Sequence, residues 1–528
     1  MTTNLQLYPF QRAGVRFLRA AESALLADEM GTGKTIQTIV HLELANLYPA
    51  LIVCPNTVKA NWAREFGIWA QDKRVVVAGA GTAAATKAAA KVEDGEADVL
   101  IINWDALRSM SRLAGYGSEK LRGCENCDPI MKKQAEIWEA QEPGERPKVR
   151  PGSPSRCERC AKVLNVIEWQ AVVADEAHRA KSPKAKQTRA LWAVGQNGHR
   201  RIALTGSPVA NSPEDLWSIM RFVAPDEWPV KSKWLDRYCV LVFNPFANSM
   251  DVVGLREDRR EELDKYLLPR MIRRTKAQVL PDLPPKTYER RDVALGTQQR
   301  KAYDALNRDL IAKVDGGHLA VTSILTLSLR LRQLASAYGE IITEPAEMQF
   351  DDIGKELDAL DSAVLLSEPS SKLDALEEVL EELGGAQVVV FAESRQLIDM
   401  AYARISERYN CGMLTGPIGT DEREVAITNF REGRSQVMLA TTGAGGEGVD
   451  GLQAASVAVF LQRPWSSVVN KQAEDRLHRI GQDAENVLYI DLVAIDTIED
   501  RVFEALIVKG ERLEDVVQDK EALRKWLE

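Results

Sequence analysis

Short apolar runs alternate with amphipathic stretches in two separate parts of the chain. In the first part Ala50 to Cys54, Arg74 to Ala78, Asp98 to Ile102, Ala171 to Ala174 and Arg201 to Leu204 read as strands buried on both faces. Leu25-Leu26 reads as a further strand that closes on a glycine-rich turn. A helix follows that turn, with Ile36, Ile39, Val40, Leu44 and Leu47 as its apolar positions. Between Ser111 and Val166 the alternation breaks into Gly, Pro and charge, as in an insertion. From about Pro225 to Leu366 the pattern turns helical and charged, with proline joints at Pro281, Pro284 and Pro285. Glu340 to Asp361 is acidic and reads as a connecting segment. A second alternating part begins near Ser371, with strands expected at Gln387 to Phe391, Gln436 to Ala440, Ser456 to Leu461 and Val487 to Val493. The tail from Thr497 to Glu528 reads as helical. Strands alternating with helices predict an α/β fold with two parallel-sheet lobes and helical protrusions between them.

Composition narrows this only a little. The 528 residues suggest about three or four domains. No apolar run approaches the roughly 20 residues of a membrane span, and Met1 to Phe10 has neither the basic start nor the apolar core of a signal peptide. A net charge of −9 argues against a chain coated in nucleic acid, but a local basic groove is the relevant quantity.

Three clusters carry chemistry. Asp28-Glu29-Met30-Gly31-Thr32-Gly33-Lys34-Thr35 runs from strand through glycine turn to helix. Glycines let backbone N–H groups wrap phosphate oxygens, and the helix N-terminus adds partial positive charge. Lys34 is placed to reach the β and γ phosphates of a nucleotide, and the Thr35 hydroxyl to reach Mg²⁺. The strict pattern asks for Gly where this chain has Asp28. The second cluster, Asp175-Glu176-Ala177-His178, sets two carboxylates at the end of an apolar strand, where they need a metal or a donor. Asp175 suits a Mg²⁺ shell, and Glu176 suits polarising an attacking water. In the third, Gln472, Arg476 and Arg479 are spaced to share one helix face, and two guanidinium groups there could neutralise charge on a γ-phosphate. Each cluster alone has a plainer reading: a glycine turn, a strand end, a solvated basic face.

Together these residues resemble superfamily-two helicases. Asp28 to Thr35, Asp175 to His178 (a DEAH box by spelling), Leu204 to Pro208 and Gln472 to Gln482 look like their first, second, third and sixth motifs, in the wording of the Swi/Snf branch. Asp28-Glu29-Met30-Gly31 is typical of that branch. Leu7 to Arg12 resembles the adenine-contacting segment, with Gln11 as its glutamine. Val53 to Trp62 resembles motif Ia, which touches a nucleic-acid backbone. Ile272 to Lys276 followed by Leu283 to Lys286 resembles the Swi/Snf signature, and Thr441 to Gly448 resembles motif V. The opening segment looks closest to HepA-like and annealing-helicase members. The resemblance implies two RecA-like lobes. The implied order is an ATP-binding lobe at 1–224 interrupted by an insertion at 111–166, protrusions and linker at 225–370, a C-terminal lobe at 371–510, and a terminal helix at 511–528. It implies an ATPase that moves along double-stranded or branched DNA. Lys34, Asp175, Glu176, Arg476 and Arg479 would be catalytic. Gln11, Asp28 to Thr35, Gly448 and Gln472 would bind nucleotide. A DEAH-type RNA helicase and the ATPase of a restriction complex are the competing readings. The wording of Thr205 to Pro208 speaks against the first, and the lack of a nuclease constellation against the second.

Cys124-x-x-Cys127 and Cys157-x-x-Cys160, with no His in the insertion, have the spacing of a small tetrahedral Zn²⁺ site made of four thiolates. Disulfides or free thiols are the alternative. A basic cluster from Arg146 to Lys162 suits either DNA or solvent. Expected partners are DNA and replication, repair or recombination proteins, with no membrane. The expected compartment is the cytoplasm of a bacterial or virus-infected cell, or the nucleus if the source is eukaryotic.

Overall fold

A computed structural model describes residues 6–79, 81–111, 129–142, 163–165, 167–206, 208, 214–227, 230–244, 249–315, 321–343, 362–416, 418–443 and 450–504. The chain divides into two compact units, Met1–Pro281 and Asp282–Glu528.

In the first unit the strands are β1 (Ala24–Leu26), β2 (Ala50–Cys54), β3 (Val75–Val77), β4 (Val99–Asn103), β5 (Trp169–Asp175) and β6 (Gly198–Leu204), followed by a hairpin of β7 (Cys239–Asn244) and β8 (Ser249–Leu255), and β9 (Met271–Ile272). One sheet has the order β3-β4-β2-β5-β6-β1-β9, parallel throughout. Leu51, Val53, Leu100, Ile102, Val172 and Ala174 enter the core on one face. Ala50, Ile52, Val99, Ile101, Ala171 and Val173 enter the core on the other. Burial on both faces is why these strands read as unbroken apolar runs. The insertion is tied at its roots: Ser111 Oγ lies 3.0 Å from Asn165 Oδ1 and 2.7 Å from the Ala190 carbonyl. Within it, Pro129–Ala140 is helical.

The second unit has β10 (Lys286–Val293), an antiparallel pair of β11 (Tyr338–Thr343) and β12 (Ser362–Ser367), then β13 (Val388–Ala392), β14 (Cys411–Leu414), β15 (Val437–Thr441), β16 (Val457–Phe460) and β17 (Val487–Ala494). Its main sheet runs β10-β17-β16-β13-β15-β14, again all parallel. Alternate residues again divide between two cores, with Val388 and Val390 in one and Val389 and Phe391 in the other.

Three expectations are corrected. The stretch from Pro225 to Leu366 is not simply helical: it holds the β7–β8 hairpin, and β9 and β10 each join a main sheet. The helix after the glycine turn is Lys34–Leu44, with Gln37, Thr38, Ile39, His41 and Leu42 on its buried side, while Leu44 is exposed. The tail is helical over Ile498–Phe503, and residues beyond 504 lie outside the described ones.

Candidate nucleotide site and the arginine-bearing turn

The carboxyl end of β1 runs straight into the phosphate loop. Gly31 and Gly33 have φ of 78° and 75°, the left-handed conformation that glycine adopts without strain. Gly33 caps the helix Lys34–Leu44, so Lys34 and Thr35 are its first two residues, at the end that favours anions. Lys34 Nζ donates to the carbonyls of Asp28 (2.8 Å) and Glu29 (3.1 Å), which holds the ammonium over the turn. Thr32 is buried, and its hydroxyl donates to the Glu29 carbonyl at 2.8 Å. Gln11 closes the loop from the first helix: its Oε1 accepts from Tyr8 N (3.0 Å) and its Nε2 donates to Thr32 O (3.2 Å). A Cβ at Gly33 would stand 2.5 Å from Gln11 Nε2 and would push the end of that side chain off the loop.

Asp28 is no obstacle to this loop. It is not among the residues with positive φ, so its position does not need glycine. Its side chain is fully buried and paired with Arg274, whose Nε donates to Oδ1 at 2.9 Å and whose Nη2 meets Oδ2. Arg274 also donates to Gln37 Oε1 (3.1 Å) and lies over the Phe10 ring. Beside it, Lys276 N donates to Glu29 Oε2 (2.7 Å) and Glu29 N donates to the Arg274 carbonyl (3.0 Å).

Asp175 and Glu176 end β5. Two indoles hold the first: Trp62 Nε1 donates to Asp175 Oδ2 at 2.8 Å, and Trp104 Nε1 to the Asp175 carbonyl at 3.1 Å. Glu176 N donates to Asp175 Oδ1 at 3.0 Å. Desolvation first, and then the Glu176 carboxylate, push the Asp175 carboxyl up to about 6, against the pull of the Trp62 hydrogen bond and of Lys34. Glu176 has φ of 51°, a left-handed backbone at a non-glycine residue of the kind that clusters at functional sites. His178 Nδ1 lies 3.2 Å from Glu176 Oε2 and 3.3 Å from Thr205 Oγ1, which joins the acidic box to the end of β6. A Cβ on Gly206 would meet Met30 Cγ at 2.7 Å, so this turn packs directly under the phosphate loop. The first unit therefore brings Asp28 to Thr35, closed over by Gln11, and Asp175 and Glu176 to the carboxyl ends of β1 and β5, on either side of β6, where α/β sheets hold ligands. Trp62 is fully buried, so this residue of the expected backbone-touching segment faces the acidic box.

In the second unit the helix Ser467–Glu474 carries Gln472 but stops before both arginines. Gln472, Arg476 and Arg479 thus do not share one helix face. Residues 475–477 form a turn, in which Arg476 N and Leu477 N donate to the carbonyls three residues back, Ala473 (3.2 Å) and Glu474 (3.1 Å). Gln472 and Arg476 are buried, and Arg479 Nη1 lies 3.5 Å from Asp450 Oδ1. Glu474 anchors this turn. It accepts from Arg463 Nη1 (2.6 Å), Lys286 Nζ (3.0 Å) and Tyr288 Oη (2.8 Å). Burial alone would raise its carboxyl, but Lys286, Arg463 and Tyr288 hold it below the usual range. His478 Nε2 lies 2.9 Å from the Pro284 carbonyl. A crevice of about 580 Å³ opens past the carboxyl ends of β13 to β16, lined by Glu393, Arg395, Thr441, Thr442, Trp465 and Ser466. Gly448 and Cys124, Cys127, Cys157 and Cys160 lie outside the described residues, as does the whole basic cluster from Arg146 to Lys162. Trp62 and Arg274 lie within motifs that the sequence shows, but their contacts with Asp175 and Asp28 are not legible in it. Buried aromatic and ion-pair partners leave no spacing signal of their own.

Comparison with known proteins matches the model of the SNF2-related domain to residues 10–339 and that of the helicase conserved C-terminal domain to residues 371–481. The CHD3-type chromatin-remodeling factor PICKLE of Arabidopsis thaliana is 27% identical over 530 residues, which cover 97% of this chain and 34% of that protein. The chromodomain-helicase-DNA-binding protein 1-like of Danio rerio is 27% identical over 534 residues, covering 98% and 44%. The Sulfolobus solfataricus SWI2/SNF2 ATPase core in complex with dsDNA is 23% identical, with 99% of this chain and 95% of that one covered and a TM-score of 0.39. The chain spans between a third and a half of the length of these curated relatives. With its SNF2-related match covering more than half of its residues and a helicase C-terminal match following it, the chain belongs to the SNF2-related family.

Proposed function

We propose that the chain is an ATP-hydrolysing motor that moves along double-stranded DNA and remodels DNA or protein–DNA complexes. The observation that carries this reading is the first unit's conjunction of an ammonium at a left-handed glycine turn with an acidic pair two strands away, in a chain of the SNF2-related family. The donor set fits a nucleotide with Mg²⁺: glycine N–H groups, one lysine, one helix-start hydroxyl and one strand-end carboxylate. Gln11 and residues 28 to 35 bind ATP, and Thr35 and Asp175 hold Mg²⁺, which neutralises phosphate charge when bound. Glu176 orients and polarises the attacking water, and His178 ties that carboxylate to the Thr205 turn. Arg476 and Arg479 supply positive charge to the γ-phosphate during turnover, and Gln472 and Gly448 contribute to nucleotide binding. Lobes built on 1–224 and 371–510, to whose sheets β9 and β10 each add a strand, then step along a phosphate backbone, which the crevice of Arg395, Thr441 and Thr442 is suited to meet.

DNA is the favoured track because the motif wording is that of the Swi/Snf branch and the relatives' names are those of chromatin-remodelling and DNA-binding proteins. Zn²⁺ at Cys124, Cys127, Cys157 and Cys160 is proposed from their spacing alone. Among the described residues no helix is long and apolar enough to cross a membrane. ATP turnover measured with duplex DNA, single strands and RNA tests the reading: duplex should stimulate most. Stimulation by RNA alone would replace it with an RNA helicase.

A further inference from the structure

The signature from Ile272 to Lys286 is a single short stretch of chain, yet its two ends do different things. In the first unit, Arg274 pairs with the buried Asp28 carboxylate, and Arg274 and Lys276 share hydrogen bonds with Glu29. Asp28 and Glu29 are the same two residues whose carbonyls hold the Lys34 ammonium. The fit is close: a Cβ on Gly14 would stand 2.9 Å from Arg274 Nη2. In the second unit, the Pro284 carbonyl meets His478, and Lys286 Nζ meets Glu474 (3.0 Å) and Asp475 (3.3 Å), the residues just before Arg476. The division between the units falls between these ends, after Pro281.

We propose that this segment is a brace, in which Arg274 positions the phosphate loop and Lys286 positions the arginine-bearing turn. Neither residue touches nucleotide in this scheme. Binding moves the Lys34 ammonium from the loop carbonyls toward phosphate, and Arg274 keeps residues 28 and 29 in place while it does so. Lys286 and Tyr288 fix Glu474, and through it the direction in which residues 476 to 479 leave the helix. The inference rests on the reading of the chain as an ATP-driven motor, and gives one signature two separable kinetic effects.

The test compares Arg274→Gln and Lys286→Gln in the full chain, with Lys286→Arg as rescue, by ATP calorimetry with Mg²⁺, steady-state turnover with duplex DNA, and hydrogen–deuterium exchange. Arg274→Gln should weaken ATP binding and raise KM by about 10-fold with little change in kcat, while Lys286→Gln should lower kcat by about 10-fold with unchanged ATP affinity. Exchange should quicken over residues 28–37 in the first variant and over residues 472–482 in the second, and Lys286→Arg should restore both turnover and protection. If Arg274→Gln fails to fold, Arg274→Lys, which keeps a positive charge beside the buried Asp28 carboxylate but loses the forked contact, is read in its place. The same kinetic change in both variants, or exchange that rises throughout a unit, would overturn the brace. A wild-type chain that does not turn over ATP would end the functional reading, while the exchange pattern would still decide the anchoring.

Discussion

His41 gives a prediction that depends only on the packing behind the phosphate loop. It lies on the buried side of the helix Lys34–Leu44, is 2% exposed, and neither ring nitrogen has a hydrogen-bond partner among the described residues. Burial, and then the charges of Arg200 and Arg19, hold its pKa down from 6.5 to about 4. Between those two values the unfolded chain binds a proton that the folded chain refuses. Stability from this site is therefore whole above pH 6.5 and is lost as pH falls toward 4. A shift of this size, at about 1.36 kcal/mol per unit, amounts to roughly 3 kcal/mol. His41→Leu removes both the titration and the two unpartnered nitrogens. It should be more stable than the parent at about pH 7.5 by about 1–2 kcal/mol, and the gap should widen by roughly 3 kcal/mol on going to about pH 4. Unfolding of both proteins in urea at half-unit pH steps reads this directly. Parallel pH curves for parent and variant, or a gap that narrows in acid, would refute the assignment of a buried neutral histidine.

Lys34→Ala and Glu176→Gln should each abolish ATP turnover, the Glu176 variant still binding ATP in a filter or calorimetric assay. Arg479→Ala should cut kcat by about 10³-fold with little loss of ATP affinity, as a contact made mainly in the transition state does; a normal kcat would refute the transition-state contact. Protein prepared without chelator should carry one Zn²⁺ per chain by elemental analysis. Cys124→Ser should lose the metal without lowering the melting temperature of the lobes, because Ser111 and Asn165 close the insertion at its roots.

Central strands were legible in the sequence because both of their faces are covered. Ala50 to Cys54 is an unbroken apolar run for that reason, and the structure places β2 over the same residues. Most edge strands were not legible. β10 reads Lys-Thr-Tyr-Glu-Arg-Arg-Asp-Val with mostly exposed or half-buried side chains, and β14 and β9 are short, so none of them makes an apolar run. The phosphate loop and the acidic box were found by their local order of residues, since glycine φ and strand-end carboxylates are sequence-local needs. Gln472, Arg476 and Arg479 have the i, i+4, i+7 spacing of one helix face, but the helix ends at Glu474, so the spacing does not set their directions. Arg274 and Trp62 could not be assigned their roles in advance, because their partners Asp28 and Asp175 are far away in sequence and nothing in either residue's own neighbourhood names them.

Strand displacement by the purified full chain tests the central claim most directly. A duplex carrying a bound third strand, and a matched fork, are each incubated with the protein and ATP at low and at higher salt. A motor that pulls on double-stranded DNA should release the third strand in an ATP-dependent way while the fork stays paired, with little sequence preference and steep loss of binding as salt rises, since phosphates carry most of the contact. Efficient unwinding of the fork with the third strand left in place would contradict it.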